Sequence, residues 1–320
     1  MSLAIHDEAI TSIHWETVAC PYCGDRTCSH FIDAEDDLTG KPGTFSFVQC
    51  SACNLVYQNP RLNIDKIKDY YDDEYIAHRK SNNWGILTRF FNATMDQLDR
   101  RKAAITCRHA ELNGASELLD VGCGAGSFLR WMHLNYQVAA AGVDFIDLSG
   151  RPGFEDIDFR CNLFYQAGFE DGRFDAVTMW HFLEHDYDPM RSLHEAHVVL
   201  KDRGILVIEV PRLDSVSFGM YGDRWPGLQA PQHTALYTRE ALERFVTSAG
   251  FTIVEYLPYG AYPAYFYLFA GLAFRILKGK GLNLSRAIYP YFLGRLLLAP
   301  LLLFERRLNL AMQTVICRKE

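Results

Sequence analysis

The chain has 320 residues and a mass of 36.6 kDa, room for one large domain with appendages or for two domains. Its 49% hydrophobic and 22% charged content excludes global disorder, and a net charge of −7 excludes a dedicated nucleic-acid binder. The charge is uneven: residues 271–320 hold nine Lys/Arg against Glu305 and Glu320, a net +7, which leaves −14 for residues 1–270.

The first sixteen residues, MSLAIHDEAITSIHWE, are acidic and lack a long apolar core, so they do not read as a secretory signal. Residues 17–60 are turn-rich and carry two CxxC pairs, Cys20/Cys23 and Cys50/Cys53, with 26 residues between them. Four thiolates in two knuckles suit a closed, tetrahedral, structural Zn2+ site. Cys28 and His30 are competing ligands, whereas Cys107, Cys123, Cys161 and Cys317 read as scattered packing residues. With no signal peptide, the expected location is the cytosol. Apolar spacing without internal proline predicts helices over 63–79 and 84–112. The expected organisation is a metal-stapled module over 1–60, a helical lid or linker over 61–112, and a catalytic domain over 113–320.

From 117 to 257 short apolar runs alternate with helix-like segments. ELLDVG, QVAAAGVD, FDAVTMW, GILVIEV and FTIVEYL read as buried strands, and MQTVIC (312–317) as one more. This pattern predicts an α/β fold with a largely parallel sheet covered on both faces. In LLDVGCGAGSFL (118–129) a strand runs into a glycine turn and a helix start. Gly122, Gly124 and Gly126 permit a tight turn and close approach of a ligand, and Ser127 stands where a dinucleotide fingerprint needs its third glycine. Asp144 ends the next strand, where a carboxylate accepts both hydroxyls of a ribose. Together these point to a nucleoside cofactor.

The strings LLDVGCGAG, GVD, FDAVTMWHFLEH and GILVIEVP, over about 115–257 plus the last strand, resemble the class I S-adenosylmethionine-dependent methyltransferases. The resemblance implies a Rossmann-like seven-stranded mixed sheet of order 3-2-1-4-5-7-6. It implies that Asp120 and the glycine loop hold the methionine part of S-adenosylmethionine and that Asp144 holds the ribose. Asn162 stands near the position that contacts the adenine. The ribbon segment CSACNLVYQNPR (50–61) is similar to that of methyltransferases from polysaccharide and natural-product pathways, in which a tyrosine of the following helix reaches the cofactor or substrate; Tyr70, Tyr71 and Tyr75 are the residues in question.

WHFLEH (180–185) puts three titratable groups after the fourth strand. Methyl transfer needs alignment and sometimes a base, and His181 is the first expected base because imidazole titrates near neutrality. His233, in APQHTALY before a helix over 238–249, is the second. HFLEH also spells an inverted zinc-hydrolase motif, and it resembles the E-x-x-E-H stretch of ubiquinone-pathway O-methyltransferases, where a divalent ion is implicated; His181 replaces the first Glu.

Residues 259–309 form an aromatic, leucine-rich and basic insertion before the last strand. No segment reaches the ~18 apolar residues of a spanning helix. Contact with a membrane at the inner face, cover for the body and a homodimer interface are its three readings. The expected activity is methyl transfer to a small-molecule, sugar or lipid-linked acceptor, with no nucleic acid as partner. A nicotinamide-dependent oxidoreductase and a non-catalytic zinc-ribbon adaptor are the competing readings.

Overall fold

The computed structural model describes residues 14–71, 86–147, 150, 153–278, 280–282, 284–298, 300 and 304–320. Tyr75, and the part of the expected 63–79 helix beyond residue 71, lie outside them. Strands β1 (Trp15–Glu16), β2 (Cys28–Glu35), β3 (Thr44–Cys50), β4 (Val56–Gln58) and β5 (Arg61–Leu62) come first. Helix α1 (Ile64–Ile67) starts at Asn63, whose side chain accepts from the Lys66 amide. It tightens at once into a 3-10 turn at Lys68–Tyr70. Helix α2 (Ile86–Thr106) follows.

The main sheet contains β6 (Glu117–Val121), β7 (Ala139–Asp144), β8 (Ile157–Cys161), β9 (Phe174–Trp180) and β10 (Leu200–Pro211). A short β11 (Ala235–Leu236) leaves it, and β12 (Phe251–Leu257) and β13 (Met312–Lys319) complete it. The order is β8-β7-β6-β9-β10-β13-β12, which is 3-2-1-4-5-7-6 in the sheet's own count. Among these strands β13 alone runs antiparallel to its neighbours. Successive strand residues face opposite core layers: Leu119, Val177 and Leu206 on one side, Leu118, Ala176 and Val207 on the other. Helices α3 (Ser127–Tyr136), α4 (Pro189–Val199), α5 (Val216–Tyr221) and α6 (Arg239–Ser248) connect the strands. Asp188 caps α4 ahead of a proline in its first turn, and Thr238 caps α6.

The cysteine module is built into this body. Its sheet takes a fourth strand from β11, Ala235 pairing with Tyr57 and Leu236 with Val56. Tyr22 packs on Phe245 of α6 with ring centroids 4.8 Å apart, and Arg244 donates to the Cys53 carbonyl at 2.6 Å.

Between β12 and β13 the chain makes a helical hairpin, α7 (Ala264–Leu277) and α8 (Leu284–Leu297). Tyr267, Ala270 and Phe274 bury one side of α7, and Tyr265 packs against Tyr291 of α8. At the hairpin's tip the Leu282 amide donates to the Leu38 carbonyl of the cysteine module at 3.0 Å. Leu272 and Ile276 of α7 and Leu293, Leu296 and Leu297 of α8 are exposed. The insertion is therefore body cover on one side and an apolar surface on the other.

Candidate active site

The glycine loop and the strand beside it form a single unit. Gly122, Gly124 and Gly126 all have positive φ, at 71°, 51° and 70°, which side chains other than glycine adopt only at a cost. At Gly122 a methyl group would lie 2.9 Å from the Phe182 ring. The Gly124 amide donates to Asp144 Oδ2 at 3.0 Å, and the Ile146 amide to Oδ1 at 3.1 Å. An ionised carboxylate has room for further donors, and ribose hydroxyls are such donors.

These residues line an open cleft of about 850 Å³, solvent at its mouth included. Gly122, Gly124, Asp144, Asn162 and His181 all face it, with Phe145, Phe182, Ile67, Tyr71 and His185. Asn162 bonds within its own loop, accepting from the Leu163 amide at 2.9 Å and donating to the Gln166 carbonyl at 3.1 Å. Of the tyrosines expected near the cofactor, Tyr71 reaches the cleft and lies 2.9 Å from His185 Nδ1, whereas Tyr70 packs edge-on against Phe45. Asp120 and Gly126 are not among the residues that line the cleft. Asp120 is buried and accepts from the Thr178 hydroxyl at 2.6 Å. Burial pushes its carboxyl up to about 7, against the pull of nearby Lys102.

The two histidines behave differently. His181 has φ 55° and a side chain about a quarter exposed. Its Nδ1 lies 3.2 Å from Glu184 Oε1 and its Nε2 3.3 Å from Glu209 Oε1; the second contact is off the line of a hydrogen bond. Burial alone would lower its pKa, but the two buried carboxylates outweigh that and raise it to about 9. At neutral pH His181 is an imidazolium, which has no lone pair to take a proton. His233 is 2% exposed and does not line the cleft. Its Nδ1 lies 2.8 Å from the Gly227 carbonyl, and burial pushes its pKa well down. Glu184, His185 and His233 each bring a ligand atom within 4.8 Å of the others. Glu184 meets His181 through Oε1, its Oε2 is buried without a hydrogen-bond partner, and the His185 and His233 rings pack edge-to-face 4.5 Å apart. Sequence reasoning missed Glu209 and Phe182; an acid inside the apolar run GILVIEVP was the available signal for Glu209.

Cys20, Cys23, Cys50 and Cys53 gather within 4.8 Å of one another, with Cys20–Cys53 and Cys23–Cys50 sulfur pairs both at 3.5 Å. Cys28 and His30 stay out of the group. Burial raises the Cys20 and Cys53 thiols, Cys53 to about 11. Four sulfurs gathered at these distances fit a tetrahedral cation.

A model of the methyltransferase domain matches residues 88–256. The chain belongs to the methyltransferase family. The fold above is the one that class I S-adenosylmethionine-dependent methyltransferases share, and the oxidoreductase reading is set aside. The methyltransferase is 25% identical over 181 residues to a ubiquinone biosynthesis O-methyltransferase of Bradyrhizobium sp. (strain ORS 278), covering 53% of this chain and 69% of that one. It is 28% identical over 139 residues to sphingolipid C9-methyltransferase 1 of Gibberella zeae, covering 39% of this chain and only 26% of that one. In fold it is similar to geranyl diphosphate C-methyltransferase from Streptomyces coelicolor A3(2), with a TM-score of 0.50 and 12% identity over 75% of this chain and 86% of that one.

Proposed function

We propose that the methyltransferase moves the methyl group of S-adenosylmethionine to a small-molecule, sugar or lipid-linked acceptor at the edge where β6, β9 and β10 end. The observation that carries this reading is the Gly124–Asp144 hydrogen bond set inside the cleft. Bound there, the cofactor supplies an electrophilic methyl on a sulfonium. Asp144 takes the ribose, Gly122, Gly124 and Gly126 let its backbone neighbours come close, and Asp120 balances the ammonium of the methionine part. Asn162 borders the adenine. His181 keeps a place at that edge in a changed role: an imidazolium held between Glu184 and Glu209, it borders the acceptor. His233 holds the loop beneath.

Zinc in the four-cysteine site fixes the module over 1–60 against the domain over 113–320, and from the linker over 61–112 Ile64, Ile67 and Tyr71 close over the cleft. The names of the ubiquinone and sphingolipid relatives favour a lipid-like acceptor, and the exposed leucines of α7 and α8 favour peripheral contact with a membrane from the cytosolic side. A homodimer contact is the competing use of that surface. Calorimetry with S-adenosylhomocysteine tests the cofactor; no binding would sink the proposal. Mass spectrometry of small molecules that co-purify identifies the acceptor.

A further inference from the structure

Glu209 lies in the buried run of β10, two residues before its end, and is fully enclosed. Its one carboxylate meets groups from three other parts of the chain. Oε2 accepts from the Ala261 amide at 2.6 Å and Oε1 from the Tyr262 amide at 3.0 Å. The Thr314 hydroxyl of β13 donates to Oε2 at 3.3 Å. His181 Nε2 lies 3.3 Å from Oε1. Ala261 and Tyr262 are the root of the hairpin, directly before α7 begins at Ala264. The Tyr262 ring in turn stands edge-on to the His181 ring, 5.2 Å away.

The loop is shaped for this carboxylate. A methyl group at Gly260 would lie 2.6 Å from the carboxyl carbon of Glu209. Only a bare backbone lets the next two amides close on both oxygens. A neutral side chain of the same size would not do the same job. Glutamine has one oxygen, and its amide nitrogen would face an N–H donor in a buried place, where an unsatisfied donor is costly. The charge counts as well, because Glu209 is one of the two carboxylates beside the His181 ring.

We infer that Glu209 is a positioning residue: one carboxylate orders the His181 ring and the root of the α7–α8 hairpin as a single unit, so that the seat of the hairpin sets the geometry at the methyl-transfer edge. This rests on reading that edge as the site of methyl transfer. The hairpin is held at its tip by the cysteine module, through Leu282 and Leu38. At its root it is held by a residue that touches the catalytic loop. A displacement of the hairpin therefore reaches His181 through Glu209 and Tyr262.

The test is hydrogen–deuterium exchange on the full chain, together with NMR titration of the His181 ring. In Glu209→Gln the amides of Ala261 and Tyr262 should exchange roughly tenfold faster or more, as expected for loss of a charge-assisted hydrogen bond. The His181 ring should titrate at least about one pH unit lower, since one of its two carboxylates is gone. Gly260→Ala, which leaves Glu209 and His181 intact, should push the root away and also speed exchange at 261 and 262; it keeps the inference testable if Glu209→Gln does not fold. Unchanged exchange in the folded variants overturns the inference. So does faster exchange with an unmoved His181 titration in Glu209→Gln, which would make Glu209 a loop anchor alone. Cofactor calorimetry on the unaltered protein reads the cleft assignment separately.

Discussion

The backbone amide of Gly124 donates to Oδ2 of Asp144 at 3.0 Å, tying the glycine loop after one strand to the acid that ends the next. A side chain at 124 would have to adopt φ 51° at the lining of the cleft proposed for the cofactor. Gly124→Arg should therefore abolish binding of S-adenosylhomocysteine, a loss of roughly 100-fold or more given the strain and the filled space together. Calorimetry on a variant with an unchanged circular dichroism spectrum checks it; undiminished affinity would remove the glycine loop from the cofactor site.

Asp120 makes a prediction with a sign. Burial holds its carboxyl near 7, so it is largely protonated in mild acid. An ionised Asp120 attracts the ammonium of the cofactor, and a protonated one does not. Affinity for S-adenosylhomocysteine should rise by about tenfold between about pH 6 and about pH 8, because the ionised fraction of a carboxyl titrating midway grows by that factor. Asp120→Asn should flatten that dependence. Methylthioadenosine, which lacks the amino acid, should show neither effect; an equal slope for it would take Asp120 away from the methionine part.

His181 governs stability in the opposite range. Its pKa rises from 6.5 to about 9 on folding, so the folded chain holds a proton that the unfolded chain releases. The contribution is complete below about pH 6.5 and is lost as pH climbs through 9. It is on the order of 2 kcal/mol for a quarter-exposed ring between two carboxylates. Urea unfolding from pH 6 to 9.5, compared with His181→Gln, isolates it; parallel curves for the two proteins would contradict the imidazolium.

Much of this was readable in the chain because the relevant signals are local. Gly122, Gly124 and Gly126 follow a strand, Asp144 closes the next one, and the CxxC pairs state their own chemistry. The roles of the histidines were not readable. Nothing within a few residues of His181 announces Glu209, which comes from the next strand along. The same distance in sequence hid the fact that Ala235 and Leu236 complete the cysteine module's sheet, and that His233 lies under the loop rather than in the cleft. The 63–79 segment has helical spacing, yet it tightens after Ile67 into the turn that brings Tyr71 to the cleft.

The four-cysteine site is tied to the body of the fold. Cys53 accepts from Arg244 of α6 through its carbonyl, and β4 beside it pairs with β11, two residues after His233. Cys50→Ser should release zinc, measured by elemental analysis, and should lower thermal stability of the whole protein in one transition, because structural zinc contributes directly to folding. Retained metal would mean a different ligand set. A lost metal with an unaltered melting curve would mean that the module folds apart from the body.

The insertion makes the last prediction. Among the described residues no helix is long and apolar enough to cross a membrane. Even so, Ile276, Leu296 and Leu297 are each 70% exposed or more, and Arg275, Lys278 and Arg295 lie in the same two helices or at their ends. Exposed leucines beside lysine and arginine match an interfacial helix pair, in which apolar side chains enter the acyl boundary and cations meet anionic headgroups. The methyltransferase should float with anionic liposomes and should do so less as salt is raised, because the headgroup attraction is screened. A variant lacking 264–304 should stay at the bottom of the gradient. If it floats equally well, the membrane contact lies elsewhere; if the intact protein does not float and instead elutes as a dimer, the leucines serve a second copy of the chain.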